Sequence, residues 1–160
     1  LESLGAEGTK IHDLVEDYLT KGVECDHNAL TRFKVFEKQK GYKSEAVEVV
    51  VWDDAEDYKT AGTADLIGSC YDIPIVLDIK TSKVIRLSHK IQACIYRDLY
   101  EKRTGKKGYQ SGVLLIPRDN KRKWELYINT QEEEIVYRKI FSLLSRLFQM
   151  LLGVGELDLT

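Results

Sequence analysis

Residues 58–80 read YKTAGTADLIGSCYDIPIVLDIK, and the fold turns on them. Both halves are apolar or β-branched enough to be strands, Tyr58 to Cys70 and Ile73 to Lys80, and Tyr71 with Asp72 makes a turn short enough for a hairpin. Charge is out of place in such strands. Asp78 and Lys80 nonetheless close one of the most apolar stretches of the chain, and their spacing of two directs both side chains to one face. Asp65 lies among small and apolar residues on the partner strand, where ordinary hairpin register brings it near Asp78. Two neighbouring carboxylates repel unless a proton or a cation lies between them. A divalent metal is the economical remedy, because Mg2+ takes a few carboxylates together with water and phosphate oxygens. An Asp-x-Lys pair standing alone is more often a simple ion pair at a strand end, so the rest of the chain decides between the two.

Working outward, SEAVEVVVWD (44–53) is a third strand, and the three form an antiparallel meander. Two helices precede it. In GTKIHDLVEDYLTKG (8–22) the residues Ile11, Leu14, Val15, Tyr18 and Leu19 recur at helical spacing and Gly22 is the stop. A second helix runs from Asp26, the expected N-cap, through Leu30, Phe33 and Phe36 to Gly41. Downstream, Ile91, Ile95 and Leu99 mark a crossover helix from Ser88 to about Arg103. GVLLIP (112–117) reads as a strand buried on both faces, and KWELYIN (123–129) as its partner across a basic turn. Thr130 and Glu133 form a capping box before a long helix whose apolar face carries Ile140, Leu143, Leu144, Leu147 and Leu151. The order ααβββαββα predicts an α/β fold, a mixed sheet flanked by helices, in one domain over residues 1–160.

With 43% hydrophobic and 31% charged residues the composition is that of an ordinary soluble protein, and no apolar run is long enough to span a membrane. LESLGAEGTK at the N-terminus lacks the basic and apolar parts of a signal peptide, so a cytoplasmic location is expected, with no membrane partner. Cys25, Cys70 and Cys94 are odd in number and far apart, which excludes a disulfide framework and predicts reduced, buried thiols. A net charge of −2 creates no global basic field, so nucleic-acid binding would need local charge and metal ions. Two basic turns exist, Lys102, Arg103, Lys106 and Lys107, and Arg118, Lys121, Arg122 and Lys123, although charged turns are usually only solvated. There is no G-x-x-x-x-G-K-[ST] motif, so any helicase activity would have to come from a partner.

The series GTKIHDLVEDYL, SEAVEV, AGTADLIG, VLDIKTSK and KIQACIYRDLY, in that order and with thirteen positions from Asp65 to Asp78, resembles the RecB-like branch of the PD-(D/E)xK nucleases over residues 8–100. That branch includes the CRISPR-associated single-strand nucleases and the mitochondrial genome maintenance exonucleases. The resemblance implies a restriction-endonuclease-like core with Asp65, Asp78, Lys80 and Glu45 as catalytic residues, Glu48 being the alternative to Glu45. It implies Mg2+ or Mn2+ on His12, Asp65, Asp78 and the Ile79 carbonyl, and a DNA strand held by Gln92 and Tyr96 of a Q-x-x-x-Y motif together with Ser82 and Lys83. The chain departs from many relatives in having Asp78 where they have Glu. No cysteine precedes His12 and none follows Cys94, so the four-cysteine iron–sulfur cluster of some members is not expected. The implied activity is metal-dependent exonucleolytic hydrolysis of DNA, chiefly at single-stranded ends in recombination, repair or replication. Its partners would be DNA and a helicase or recombination protein. The competing readings are a structure-specific endonuclease and a non-catalytic DNA-binding subunit of a helicase-nuclease complex.

Overall fold

A computed structural model describes residues 2–54 and 60–153 of the chain. Helix α1 (Glu2–Lys21) starts six residues before Gly8, and Ile11 and Val15 on its apolar stripe are fully buried. Helix α2 (Asn28–Lys40) buries Ala29, Leu30, Phe33 and Phe36. Its N-cap is His27 rather than Asp26: His27 has the extended backbone of a cap and its ring Nδ1 accepts the Ala29 N–H at 3.1 Å.

Five strands follow, β1 (Lys43–Asp53), β2 (Thr60–Cys70), β3 (Ile73–Lys80), β4 (Gln110–Leu115) and β5 (Glu125–Ile128), side by side in that order. Tyr58 and Lys59, expected at the start of β2, lie outside the described residues. Tyr71 and Asp72 join β2 to β3 with φ of 48° and 64°, the positive values that a two-residue hairpin turn matched to strand twist requires at both central positions. Helix α3 (Leu87–Thr104) is the crossover that makes β3 and β4 parallel, while the other neighbours are antiparallel. The sheet is therefore mixed, as expected.

Strand alternation sorts the core onto two faces. Leu66, Leu77, Ile79 and Leu114 pack with Ile11, Val15, Phe33 and Phe36 of α1 and α2. Val51, Ile67 and Val76 pack with Ile95, Leu99 and Tyr100 of α3. Cys70 and Cys94 are buried, but Cys25 is exposed, because it falls in the connection between α1 and α2 rather than on a packed face.

Helix α4 (Gln131–Gly153) opens with the expected capping box: Glu133 N–H donates to Thr130 Oγ1 at 3.2 Å, and Thr130 N–H to Glu133 Oε2 at 2.9 Å. It docks on α3 through Tyr137 and a buried ion pair, Arg97 Nη2 to Glu134 Oε2 at 2.6 Å, with Ser111 Oγ donating to the second Glu134 oxygen at 2.7 Å. The apolar face expected to be buried is in part exposed. Leu143, Leu144 and Leu147 are open, because docking uses the first turns of the helix instead. No described helix is long and apolar enough to cross a membrane.

One irregularity in the sheet positions its two buried aspartates. β2 remains paired with β1 to Thr60 and β3 remains paired with β4 to Lys80, but the β2–β3 ladder stops at Leu66–Leu77. The sheet forks there, and Asp65 and Asp78 are the next residue on each prong.

Candidate active site

Both aspartates of the fork are buried, Asp65 9% and Asp78 4% exposed. Asp65 takes over the hydrogen bonding that the ladder abandons: its Oδ2 accepts the Ile79 N–H at 2.6 Å. A buried N–H without a partner would be costly, so this carboxylate both ends the pairing and satisfies the strand it leaves.

His12 reaches the same place from α1. Its Nδ1 lies 2.9 Å from the Gly8 carbonyl one helical turn back, so Nδ1 carries a proton and donates. Its Nε2 faces two oxygens, Asp65 Oδ2 at 3.3 Å and the Ile79 carbonyl at 3.1 Å. In a neutral ring with Nδ1–H, Nε2 is a lone pair aimed at two acceptors, an arrangement that holds only with a positive charge among them. In the metal-free protein a proton serves. The hydrogen bond to Asp65 raises the His12 pKa to about 9, against the desolvation that would lower it. A divalent cation between them would meet the same need. Donors about 2.1 Å from an octahedral ion stand roughly 3.0 Å apart along an edge, close to the 3.3 and 3.1 Å that separate Nε2 from the two oxygens.

Asp78 has a different environment. Burial, and then the Asp65 charge, raise its pKa to about 6, opposed by Lys80. Lys80 Nζ stands 3.0 Å from the buried Asp78 Oδ2, an ion pair that compensates this carboxylate. The ammonium is also anchored by Gln92 Oε1 at 2.9 Å, and Gln92 in turn donates to Tyr96 Oη at 2.8 Å. Gly62 on β2 gives Tyr96 its place, since a Cβ there would come within 2.4 Å of the ring.

Of the residues expected from the sequence, His12, Asp65, Asp78, Ile79, Lys80, Gln92 and Tyr96 thus form one connected cluster. Among the described residues no three His, Cys, Asp or Glu side chains stand grouped as a ready metal cage. The convergence consists of two side chains and a carbonyl, with Asp78 turned toward Lys80. These donors fit a cation of the Mg2+ or Mn2+ class, mostly oxygen with one imidazole.

Glu45 is elsewhere. It sits where the β1–β2 register shifts between Ser44 and Ala46, and binds Lys106 and Tyr109 Oη, the latter at 2.9 Å. Glu48 is the acid that the cluster feels. The register Val47–Leu66 and Val49–Ala64 sets it opposite Asp65, burial and the Asp65 charge raise its pKa, and it adds to the field on His12. Ser82 spends its hydroxyl on the Val84 carbonyl at 2.8 Å, and Lys83 is exposed with its carbonyl bound by Arg122. Neither touches the cluster's side chains through a described hydrogen bond. Sequence reading passed over Arg118, whose Nε donates to Thr81 Oγ1 at 3.3 Å. Only its place in a basic turn marked it.

No family model and no curated protein matches the sequence. Among solved structures, the chain is similar to a protein from Eubacterium rectale named "Putative exonuclease", with a TM-score of 0.57, 10% identity, and coverage of 95% of this chain and 69% of that one. At that identity the likeness is one of fold. A second structure, SSO0001, is 22% identical over 85% of this chain and 66% of its own, with a TM-score of 0.39, too low to bear on the argument.

Proposed function

We propose that the chain is a metal-dependent DNA exonuclease that hydrolyses phosphodiester bonds at single-stranded ends. The observation that carries this reading is the convergence of His12 Nε2, Asp65 Oδ2 and the Ile79 carbonyl, beside the buried Asp78 that pairs with Lys80. The name of the Eubacterium rectale protein points the same way.

A divalent cation, Mg2+ or Mn2+, would be held by His12 Nε2, Asp65, Asp78 and the Ile79 carbonyl, and when bound it supplies positive charge to the phosphate and acidity to nearby water. Lys80 carries the rest of the charge pattern. Its ammonium, fixed by Gln92, orients a water for in-line attack on phosphorus and offsets the negative charge that builds on the phosphoryl oxygens. A new P–O bond forms from water, whose proton passes to solvent, and the bond to the leaving 3′-oxygen breaks as that oxygen takes a proton from solvent, giving a 5′-phosphate and a 3′-hydroxyl. Asp78 keeps the ammonium over the cleft, and Asp65 holds the fork open.

The test is digestion of 5′-labelled and 3′-labelled single-stranded, duplex and circular DNA with Mg2+, Mn2+ or EDTA. Progressive shortening of linear single strands that EDTA stops is expected. Cutting of circles would make the enzyme an endonuclease, and binding without cleavage in any metal would leave a DNA-binding subunit.

A further inference from the structure

The chain returns to the fork once more. Ile116 N–H donates to the Lys80 carbonyl at 2.8 Å, so the exit of β4 is bound beside the residue that ends β3. The β4–β5 loop begins there, and it is built rigidly. Arg32 of α2 donates through Nη1 to the carbonyls of Asp119 and Arg122, each at 3.0 Å. The Asp119 carboxylate accepts the Lys121 and Arg122 N–H groups at 3.2 and 3.0 Å and pairs with the Arg122 guanidinium. Arg122 in turn binds the Lys83 carbonyl, tying the loop to the segment after β3.

This frame presents Arg118. Its Nε is on Thr81 Oγ1, the residue after Lys80, and Gly8 leaves room for it: a Cβ at Gly8 would lie 3.1 Å from Thr81 Oγ1 and 3.4 Å from Arg118 Nη2. Gly8 is also the residue whose carbonyl orients His12. One guanidinium therefore stands where the end of β3 meets the histidine-bearing helix. Among the described residues no carboxylate pairs with Arg118, although Arg122 in the same loop is neutralised by Asp119. A half-buried cation held in place without an anion, on the rim of a cluster built for phosphate chemistry, is itself an anion site.

We infer that Arg118 grips an internal backbone phosphodiester of the DNA strand, next to the one being cleaved, and so sets which phosphate enters the fork. This rests on the nuclease reading above. The contact is to a phosphate and not to a base, so it fixes register without sequence preference.

Arg118→Ala, Arg118→Lys and wild type are compared for binding a fluorescent single-stranded oligonucleotide in EDTA across a salt series, with thermal unfolding as a check on folding. The expected result is about tenfold weaker binding for Arg118→Ala, a salt slope reduced by about 0.7, the share of one phosphate on a single strand, and partial recovery in Arg118→Lys. Oligonucleotides carrying one neutral methylphosphonate at each successive internal position give the sharper readout. Wild type should lose affinity at one position near the cleaved bond, and Arg118→Ala should lose nothing further there. Unchanged binding and slope in a folded Arg118→Ala, equal sensitivity of both proteins at every position, or an effect confined to a 5′-terminal phosphate would overturn the assignment. Failure of the nuclease reading looks different, since wild type itself would then cleave no DNA in any metal, whether or not it binds the oligonucleotide.

Discussion

At the residue scale, the side chains around Lys80 separate holding from reacting. Lys80→Ala is expected to lower turnover by about 100-fold or more. Gln92→Ala leaves the ammonium in place but unanchored, so kcat should fall by about tenfold while KM for DNA hardly moves, because positioning is lost and not substrate contact. A raised KM with unchanged kcat would return Gln92 to the strand-holding role that its motif implies. The two shifted groups give a second prediction. His12, raised to about 9, stabilises the metal-free fold fully below its ordinary 6.5, and that contribution disappears as pH rises through 9. Asp78, raised to about 6, is a buried carboxylate whose charge the fold disfavours, so its penalty is absent below about 4 and complete above 6. Both signs agree: in EDTA the melting temperature should fall with rising pH, first between 4 and 6 and again between 6.5 and 9. Asp78→Asn should flatten the lower step and be more stable than wild type at pH 8. A proton and a cation compete for His12 Nε2, so Mn2+ affinity measured calorimetrically should climb up to about pH 9, well beyond the ordinary histidine range. An affinity that does not change with pH would show that His12 is no ligand, and a plateau by pH 7 that its pKa is not raised.

At the element scale, the fork depends on how α3 lies against β2. Gly62→Ala drives a methyl group into the Tyr96 ring and is expected to cost about 1–3 kcal/mol, whereas Gly62→Ala combined with Tyr96→Ala should cost less than the two changes summed. Additive denaturant midpoints would show that ring and glycine do not meet. On the other side of α3, Glu134→Ala takes from the buried Arg97 guanidinium one of its two carboxylates, Asp98 being the other, and a loss of about 1–3 kcal/mol is expected by chemical denaturation. These elements also show what a sequence can and cannot disclose. The hairpin, the capping box at Thr130 and the Asp-x-Lys strand end are local patterns, in which the residues that make the feature are neighbours in the chain, and all are present. Which glutamate stands across from Asp65 could not be read in this way. Glu45 and Glu48 are three apart on one strand, and a register shift of one residue, invisible in SEAVEV, sets Glu48 rather than Val47 across from Asp65 and leaves Glu45 further along the strand. The burial of α4 was misread because an apolar stripe says that a face wants cover, not that this chain provides it. Arg118 was missed for a related reason: its neighbours Thr81 and Gly8 are 37 and 110 positions away, and no periodicity links them.

At the scale of the whole molecule, the strands lie in the sheet in the order in which they leave the ribosome, one to five, and this has a consequence for how the chain folds. Pairings between consecutive strands close short loops and cost little chain entropy, so the β1–β2–β3 meander should form early, with the Tyr71–Asp72 turn already native in the folding transition state. The parallel β3–β4 pairing must wait for the 29 residues of loop and α3, 81–109, that separate them. Substitutions at the turn should therefore slow refolding, and those at the α3–α4 contact should chiefly speed unfolding, a contrast that a chevron analysis would resolve. The prong that β3 forms with β4 is the later of the two. The two aspartates meet in the hairpin, but Lys80 is locked in its final frame only when Ile116 arrives, so a nascent chain acquires the acids of its cleft well before the cation that balances them.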